Sequence, residues 1–155
     1  MRTLKHALIA VVTLLFSTLI VAPVFAGESG CVESVCRDVA ELKNTYWKLV
    51  ELEGTQITMA PQQRRVAHIT LTAEGARLNA FGGCNQLFGG YLLEKNTLQF
   101  TQMAGTKMAC EPVFMEMEDT FLKMLGATTG YRIEGQQLFL LGGDQLLSRF
   151  EAVYE

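Results

Sequence analysis

Two cysteines beside tight-turn residues enclose a strand-like segment that ends just before an amphipathic helix. The segment opens with Gly-Gly-Cys-Asn at 82–85 and passes through Gly-Gly-Tyr at 89–91. It ends with Thr-Lys-Met-Ala-Cys at 106–110. Glycines permit turns and close backbone contacts that other residues resist, and paired glycines inside a strand pattern predict a bulge. This arrangement constrains the fold more than any other feature, and we interpret it as structural before chemical.

The rest of the chain predicts a mainly β (α+β) fold. Short apolar runs separated by Gly, Asn and Asp turns are typical of strands. Strands are expected around Tyr46–Leu52, Val66–Leu71, Ala76–Phe81, Leu87–Leu93, Leu98–Met103, Tyr131–Ile133, Leu138–Leu141 and Leu146–Val153. We therefore expect a small antiparallel, barrel-like or strongly bent sheet with one amphipathic helix packed on it.

That helix is expected at Pro112–Leu125. Proline suits the first helical turn, since its missing N–H would have no partner there. Apolar side chains recur at helical spacing along one face, and Gly126 is well placed to end the helix at the C′ position. Glu116, Glu118 and Asp119 are expected mostly on the solvent side.

Residues 1–26 have the pattern of a secretory signal peptide. Arg2 and Lys5 precede an apolar run, and Pro23 and Ala26 mark a plausible cleavage site after residue 26. The alternative is an uncleaved membrane anchor, because the apolar run is long enough to approach a bilayer span. Cleavage predicts a periplasmic or secreted protein, and contact with a membrane is expected only if the segment is retained.

Cleavage would leave one acidic domain of 129 residues. Loss of Arg2 and Lys5 leaves 11 Lys and Arg against 16 Asp and Glu, a net charge of −5. Nucleic-acid binding needs clustered basic residues, so we expect no nucleic-acid partner. The adjacent pair Arg64-Arg65 is interpreted as a solvated loop or strand end.

Several separated motifs resemble the META domain family, also called HslJ-like after a heat-inducible bacterial protein. The positions that carry the resemblance and that we single out as family-motif residues are Trp47, Gly83, Cys84, Asn85, Gly89, Tyr91, Thr106, Met108, Cys110 and Glu118. The resemblance implies a META domain over 44–155 and leaves 27–43 as an N-terminal extension. Apolar residues at helical spacing predict a partial helix over 34–42 of this extension. The resemblance also implies a link to heat or antibiotic response and, in some members, to secretion or motility, and it implies no known catalytic activity.

Four cysteines in an exported chain suggest two disulfides, and three connectivities are possible. The family pattern favours Cys84–Cys110, which leaves Cys31–Cys36 within the extension. The first bridge would stabilise the domain by about 3.5 kcal/mol in the chain-entropy model. The resemblance also suggests that Glu118 bonds to backbone near the turn at 82–85.

The sequence supports a catalytic or metal-binding role less well than a structural one. Cys84 as a nucleophile would need a base, and His68 is the sole histidine outside the predicted signal peptide. We expect His68 on the wetter face of its strand, because it alternates with Ile69 and Leu71. The chain lacks a paired zinc-ligand motif. Methionine thioethers can bind Cu(I), but Met117 and Met124 have helical core spacing, which leaves only Met108 and Met115 as copper candidates. No cofactor and no metal are expected.

The sequence thus favours an exported, non-enzymatic envelope protein that acts in the periplasm as a stress-linked or assembly-linked binding module. The partner would be an envelope protein or a small apolar ligand, bound near Gly89–Tyr91 or near the turn at Phe81–Gly83. One alternative is a barrel-type carrier of a small apolar ligand, as small barrels can hold one. A further alternative is a thiol-dependent enzyme that uses Cys84.

Overall fold

The computed structural model describes residues 39–63 and 65–154. Nine strands and one helix form the fold of this part of the chain. The strands are β1 Tyr46–Leu52, β2 Thr55–Gln56, β3 His68–Thr72, β4 Arg77–Phe81, β5 Gln86–Glu94, β6 Thr97–Gly105, β7 Gly130–Glu134, β8 Gln137–Gly142 and β9 Gln145–Val153. The helix, α1, spans Pro112–Ala127, and a 3₁₀ turn occupies Glu74–Ala76.

The strands form one antiparallel sheet in which β3 to β9 follow the order of the chain. The order is β2-β1-β3-β4-β5-β6-β7-β8-β9, and β1 also pairs with β9. The pairings therefore return to the first strand. Between β6 and β7 the pairing is a single one, Thr97 with Gly130, so the sheet is ring-like rather than a fully closed barrel. The predicted mainly β fold with one helix is confirmed.

Tight turns place successive strands beside each other, as the glycine and asparagine signals predicted. Gly54 and Gly135 have positive φ, as do Glu53 beside Gly54 and Lys95 in the β5–β6 turn. The expected irregularity at Gly89-Gly90 is confirmed, since the β5–β6 register shifts between Phe88 and Gly90. The two-residue strand β2 was not predicted, because Thr55 and Gln56 are both exposed and carry no apolar alternation.

Helix α1 begins at Pro112 as predicted but runs two residues beyond the expected end. The expectation for Gly126 was wrong, since this residue lies inside the helix rather than at C′. Thr128 ends the helix instead. Its N–H bonds to the carbonyl of Leu125 at 3.3 Å, and its Oγ1 donates to the carbonyl of Met124 at 2.9 Å. These bonds satisfy terminal carbonyls without a left-handed glycine.

The interior of the sheet is filled by packed side chains, and α1 contributes to it. Trp47, Phe121 and Phe150 are all fully buried, and the last two meet edge to face at 6.5 Å between ring centroids. Trp47 Nε1 donates to the carbonyl of Leu42 at 3.0 Å. Leu42 is itself buried, so chain before β1 belongs to this core.

Two expectations about exposure were wrong. His68 does point away from Ile69 and Leu71, but it is only 7% exposed, because neighbouring aromatic rings cover it. Glu118 was expected mostly on the solvent side of α1, yet it too is 7% exposed. Its burial has a structural cause that is given below.

The predicted signal peptide at 1–26 and the predicted pair Cys31–Cys36 lie outside the described residues. A partial helix was also expected over 34–42. Its described end, 39–42, contains no helix. Among the described residues, no helix is long and apolar enough to cross a membrane.

Candidate functional site

The turn that follows β4 presses closely on α1. A Cβ atom on Gly82 would lie 3.0 Å from Glu118 Cγ and 3.1 Å from a ring carbon of Phe121. Gly83 has φ +134°, which side-chain-bearing residues rarely adopt. The two glycines therefore let the helix approach the turn at the point where Cys84 and Asn85 follow.

Glu118 reaches from α1 into this turn and accepts three hydrogen bonds. The backbone N–H groups of Cys84 and Asn85 both donate to its Oε2, the first at 3.2 Å. Asn85 Nδ2 donates to its Oε1 at 2.8 Å. The suggested bond from Glu118 to backbone near the turn is confirmed, and these bonds explain how a carboxylate can be buried here.

Asn85 continues the network from the turn to the loop that joins β6 to α1. Its Oδ1 accepts from Thr106 Oγ1 at 2.9 Å and from the backbone N–H of Met108 at 2.8 Å. One amide thus ties together a helix, a turn and a loop. We call Asn85, Thr106, Met108 and Glu118 the clamp, and residues 106–111 the cleft loop.

A disulfide holds the same loop a second time. Cys84 and Cys110 are bonded, with their Cα atoms 5.9 Å apart and a sequence separation of 26. The predicted Cys84–Cys110 pairing is therefore present. A thiol-dependent reaction needs a thiolate, and the sulfur of Cys84 is occupied in this bond.

The remaining family-motif residues lie elsewhere and have packing roles. Trp47 is in the core, and Tyr91 donates its hydroxyl to the carbonyl of Thr72 at 2.9 Å. A Cβ atom on Gly89 would lie 2.5 Å from Met103 Sδ and 2.9 Å from the carbonyl oxygen of Thr101. Gly89 and Tyr91 thus lie apart from the other motif residues between 83 and 118, which the structure brings together.

A cleft of about 530 Å³ lies against the disulfide. We call it the disulfide cleft. Both bridged cysteines line it, together with Gly83 of the turn and Met108–Glu111 of the cleft loop. Phe81 and Phe114 add aromatic surface from β4 and α1. Clefts of about 300–1,000 Å³ with mostly apolar linings are typical of small-molecule sites.

Two polar residues of this cleft were missed by the sequence analysis. Arg65 was expected to be merely solvated, and it is exposed, but its guanidinium lies 5.5 Å from the centre of the Phe81 ring. Its Nη1 also donates to Gln86 Oε1 at 2.9 Å. Gln63 is 7% exposed, although a glutamine in a polar loop gives no sequence signal for burial.

His68 lies next to the disulfide cleft, and the charge of Arg65 affects its pKa. Its ring stacks on Tyr46 at 4.4 Å and lies 6.1 Å from Phe81. Burial lowers the pKa of His68, the positive charge of Arg65 lowers it further, and the bond to the carbonyl of Val66 opposes both. The neutral imidazole is therefore favoured in the folded protein.

Candidate metal ligands of the described residues do not converge on the cleft. Within 39–63 and 65–154, no group of three or more His, Cys, Asp or Glu side chains is placed to hold a metal ion. Met124 is buried in the core, as its helical spacing predicted. Met108 and Met115 are exposed, at 57% and 40%.

Comparison with known families identifies the fold. Residues 40–154 match the family model described as META domain. The chain belongs to the META domain family. The match begins inside the segment 27–43 that we assigned to the extension, where the buried Ala40 bonds to the β7–β8 turn at Gly135.

Solved structures share the fold of this META domain. One, an NMR structure of a protein from Burkholderia xenovorans, is 26% identical, with a TM-score of 0.59. The match covers 74% of this chain and 85% of that one. A second NMR structure is 22% identical, with a TM-score of 0.56. This match covers 70% of this chain and 90% of that one. At this low identity, the second structure supports the fold alone. No curated protein matches the chain.

Proposed function

We propose that this META domain protein is an exported, non-enzymatic binding module of the cell envelope, and that its ligand or partner docks in the disulfide cleft. One observation carries the proposal. A mostly apolar cleft of about 530 Å³ is bounded by a loop that is fixed twice, by the Cys84–Cys110 bridge and by the Asn85 amide. Rigid, preformed clefts bind with a smaller entropic cost than mobile ones.

Export to the periplasm is supported by the signal-like pattern of 1–26 and agrees with a disulfide, which persists in oxidising compartments. The stress-linked or assembly-linked role is supported by the family resemblance. A non-enzymatic role fits a site in which the buried carboxylate of Glu118 and the sulfur of Cys84 are both engaged in holding the fold.

A carrier of a small apolar ligand is the second candidate, and the same cleft favours it over the sheet interior. The space inside the ring-like sheet, where a ligand would lie, is filled by Trp47, Phe121 and Phe150. A carried ligand would then occupy the disulfide cleft, with Phe81 and Phe114 beside it.

Native mass spectrometry of protein recovered from the periplasm tests the proposal. Ala109 is exposed and lines the cleft, so Ala109→Trp should fill it. Ala127→Trp, at the exposed far end of α1, is the matched control. We expect a bound small molecule or partner on the wild-type protein and on the control, and its loss from Ala109→Trp. Equal occupancy of all three, or none on the wild type, would contradict the proposal.

A further inference from the structure

Arg65 of the disulfide cleft is a cation that has no acidic partner among the described residues. Arg65 lies beside the ring of Phe81 and donates to the neutral side chain of Gln86. The ion pairs found among the described residues involve Lys48, Arg132 and Arg149, and none involves Arg65. A guanidinium above an aromatic ring is well placed to bind an anion that has an apolar part, since guanidinium groups bind carboxylates through two parallel hydrogen bonds.

Gln63 adds a hydrogen-bond donor that the rest of the described chain leaves unused. Its Oε1 accepts from the backbone N–H of Ala60 at 3.2 Å. Its Nε2 is buried and has no acceptor in the described part of the chain. Gln63 also lines the cleft. Buried donors are normally satisfied, and an acceptor brought by a ligand would satisfy this one if the side chain turned toward the cleft.

The amino-terminal end of α1 is a third feature that favours an anion in the disulfide cleft. Glu111 and Phe114 of this end line the cleft. Helix amino termini carry partial positive charge. The first turn of α1 contains no acidic residue, and the side chain of Glu111 does not cap it. The helix end therefore favours an anion in the same cleft that contains Arg65.

From these features we infer that the disulfide cleft binds a small amphipathic carboxylic acid. The carboxylate lies at Arg65, and the apolar part packs on Phe81, Met108 and Phe114. This inference rests on the proposed function and names its ligand class. Among the residues that line the cleft, Glu111 is the negative one, so it should weaken the binding of an anion.

Calorimetric titration of the mature, oxidised protein with decanoate, decanol and decylammonium tests the charge preference. We expect decanoate to bind most tightly. Arg65→Gln should weaken decanoate binding about tenfold, the typical effect of losing a charge-assisted hydrogen bond. Glu111→Gln should strengthen it. Arg132→Gln is the matched control, because Arg132 is also exposed and lies 4.1 Å from the ring centre of Phe139, away from the cleft.

The imidazole of His68 gives an independent readout. The positive charge of Arg65 contributes to the low pKa of His68. A carboxylate bound at Arg65 would offset that charge, so decanoate should raise the pKa of His68 measured by NMR. The same rise should be absent in Arg65→Gln. Because Arg65→Gln also removes the positive charge, the pKa of His68 in this variant should already be higher than in the wild type before any ligand is added.

The preference for a carboxylate and the role as a binding module can be refuted separately. Equal binding of decanoate and decanol, unaffected by Arg65→Gln, would overturn the preference for a carboxylate and leave the binding module intact. Binding of none of the three probes would also overturn the inference. The binding module itself is judged by the native mass spectrometry described above, where a bound peptide or partner protein on the wild type would replace the amphipathic acid as the ligand.

Discussion

At the scale of single residues, Glu118 is the side chain on which the local structure depends most. We predict that Glu118→Gln lowers the free energy of unfolding by about 2 kcal/mol, because an amide offers one acceptor where the carboxylate offers two and presents N–H to N–H. Urea denaturation measures this directly. Glu116→Gln is the control, since Glu116 is exposed on the same helix. Equal midpoints for Glu118→Gln and the wild type would contradict the role of Glu118.

His68 gives a prediction for the dependence of stability on pH. Its pKa is lowered in the folded protein, chiefly by burial. Its contribution to stability is therefore fully present above the unfolded-state pKa of about 6.5, and is lost as the pH falls from there through the lower folded-state pKa. His68→Phe should lose less stability than the wild type between pH 7.5 and pH 5, as measured by thermal unfolding. Parallel curves would exclude this contribution.

At the scale of elements, Gly89 and Gly126 can be compared, because an added Cβ would be crowded at Gly89 and free of contacts at Gly126. Gly89→Ala would place a methyl group 2.9 Å from the backbone oxygen of Thr101, which cannot move aside as a side chain can. We predict a loss of about 1–3 kcal/mol, the usual cost of overpacking. Chemical denaturation measures it, and an unchanged free energy of unfolding would show that the β5–β6 pair can widen there.

Gly126→Ala should have the opposite effect. Gly126 lies inside α1, and nothing stands within 4 Å of its added Cβ. Alanine in a helix is favoured over glycine by about 0.5–1 kcal/mol, so we predict a rise in stability of that order. A loss measured in the same denaturation experiment would indicate that the helix ends before residue 126, as the sequence alone had suggested.

The elements with strong periodicity were predictable, and their ends and surroundings were not. The strands and the start of α1 follow from alternation and from Pro112. The end of α1 depends on the two bonds that Thr128 makes, and the sequence around Thr128 gives no signal for them. The burial of His68 likewise depends on Tyr46 and Phe81, which lie in other strands.

The residues of the candidate site also divide into those that could be predicted from the sequence and those that could not. Gly83, Cys84 and Glu118 were indicated by the resemblance, and the structure adds how they meet. Arg65 and Gln63 gave no signal, because their role depends on a loop that folds back beside β4. Local patterns describe neighbours along the chain, whereas a cleft is made by segments that are distant in sequence.

At the scale of the whole molecule, the disulfide and the clamp restrain one loop. Replacing both Cys84 and Cys110 with alanine should lower the free energy of unfolding by about 3.5 kcal/mol in the chain-entropy model. Alanine avoids burying a hydroxyl at Cys84, which is 2% exposed. Denaturation of the wild type with and without reductant provides the comparison. Unchanged stability on reduction would mean that the bridge contributes little.

Amide hydrogen exchange at Met108 tests most directly the central claim, that the clamp and the bridge hold the cleft loop in place. The side chain of Met108 is 57% exposed, yet its backbone N–H donates to Asn85 Oδ1 at 2.8 Å. We predict slow exchange at Met108 in the wild type, fast exchange in Glu118→Gln, and fast exchange at neighbouring Lys107 in both. Rapid exchange at Met108 in the oxidised wild-type protein would contradict the clamp and, with it, the preformed cleft.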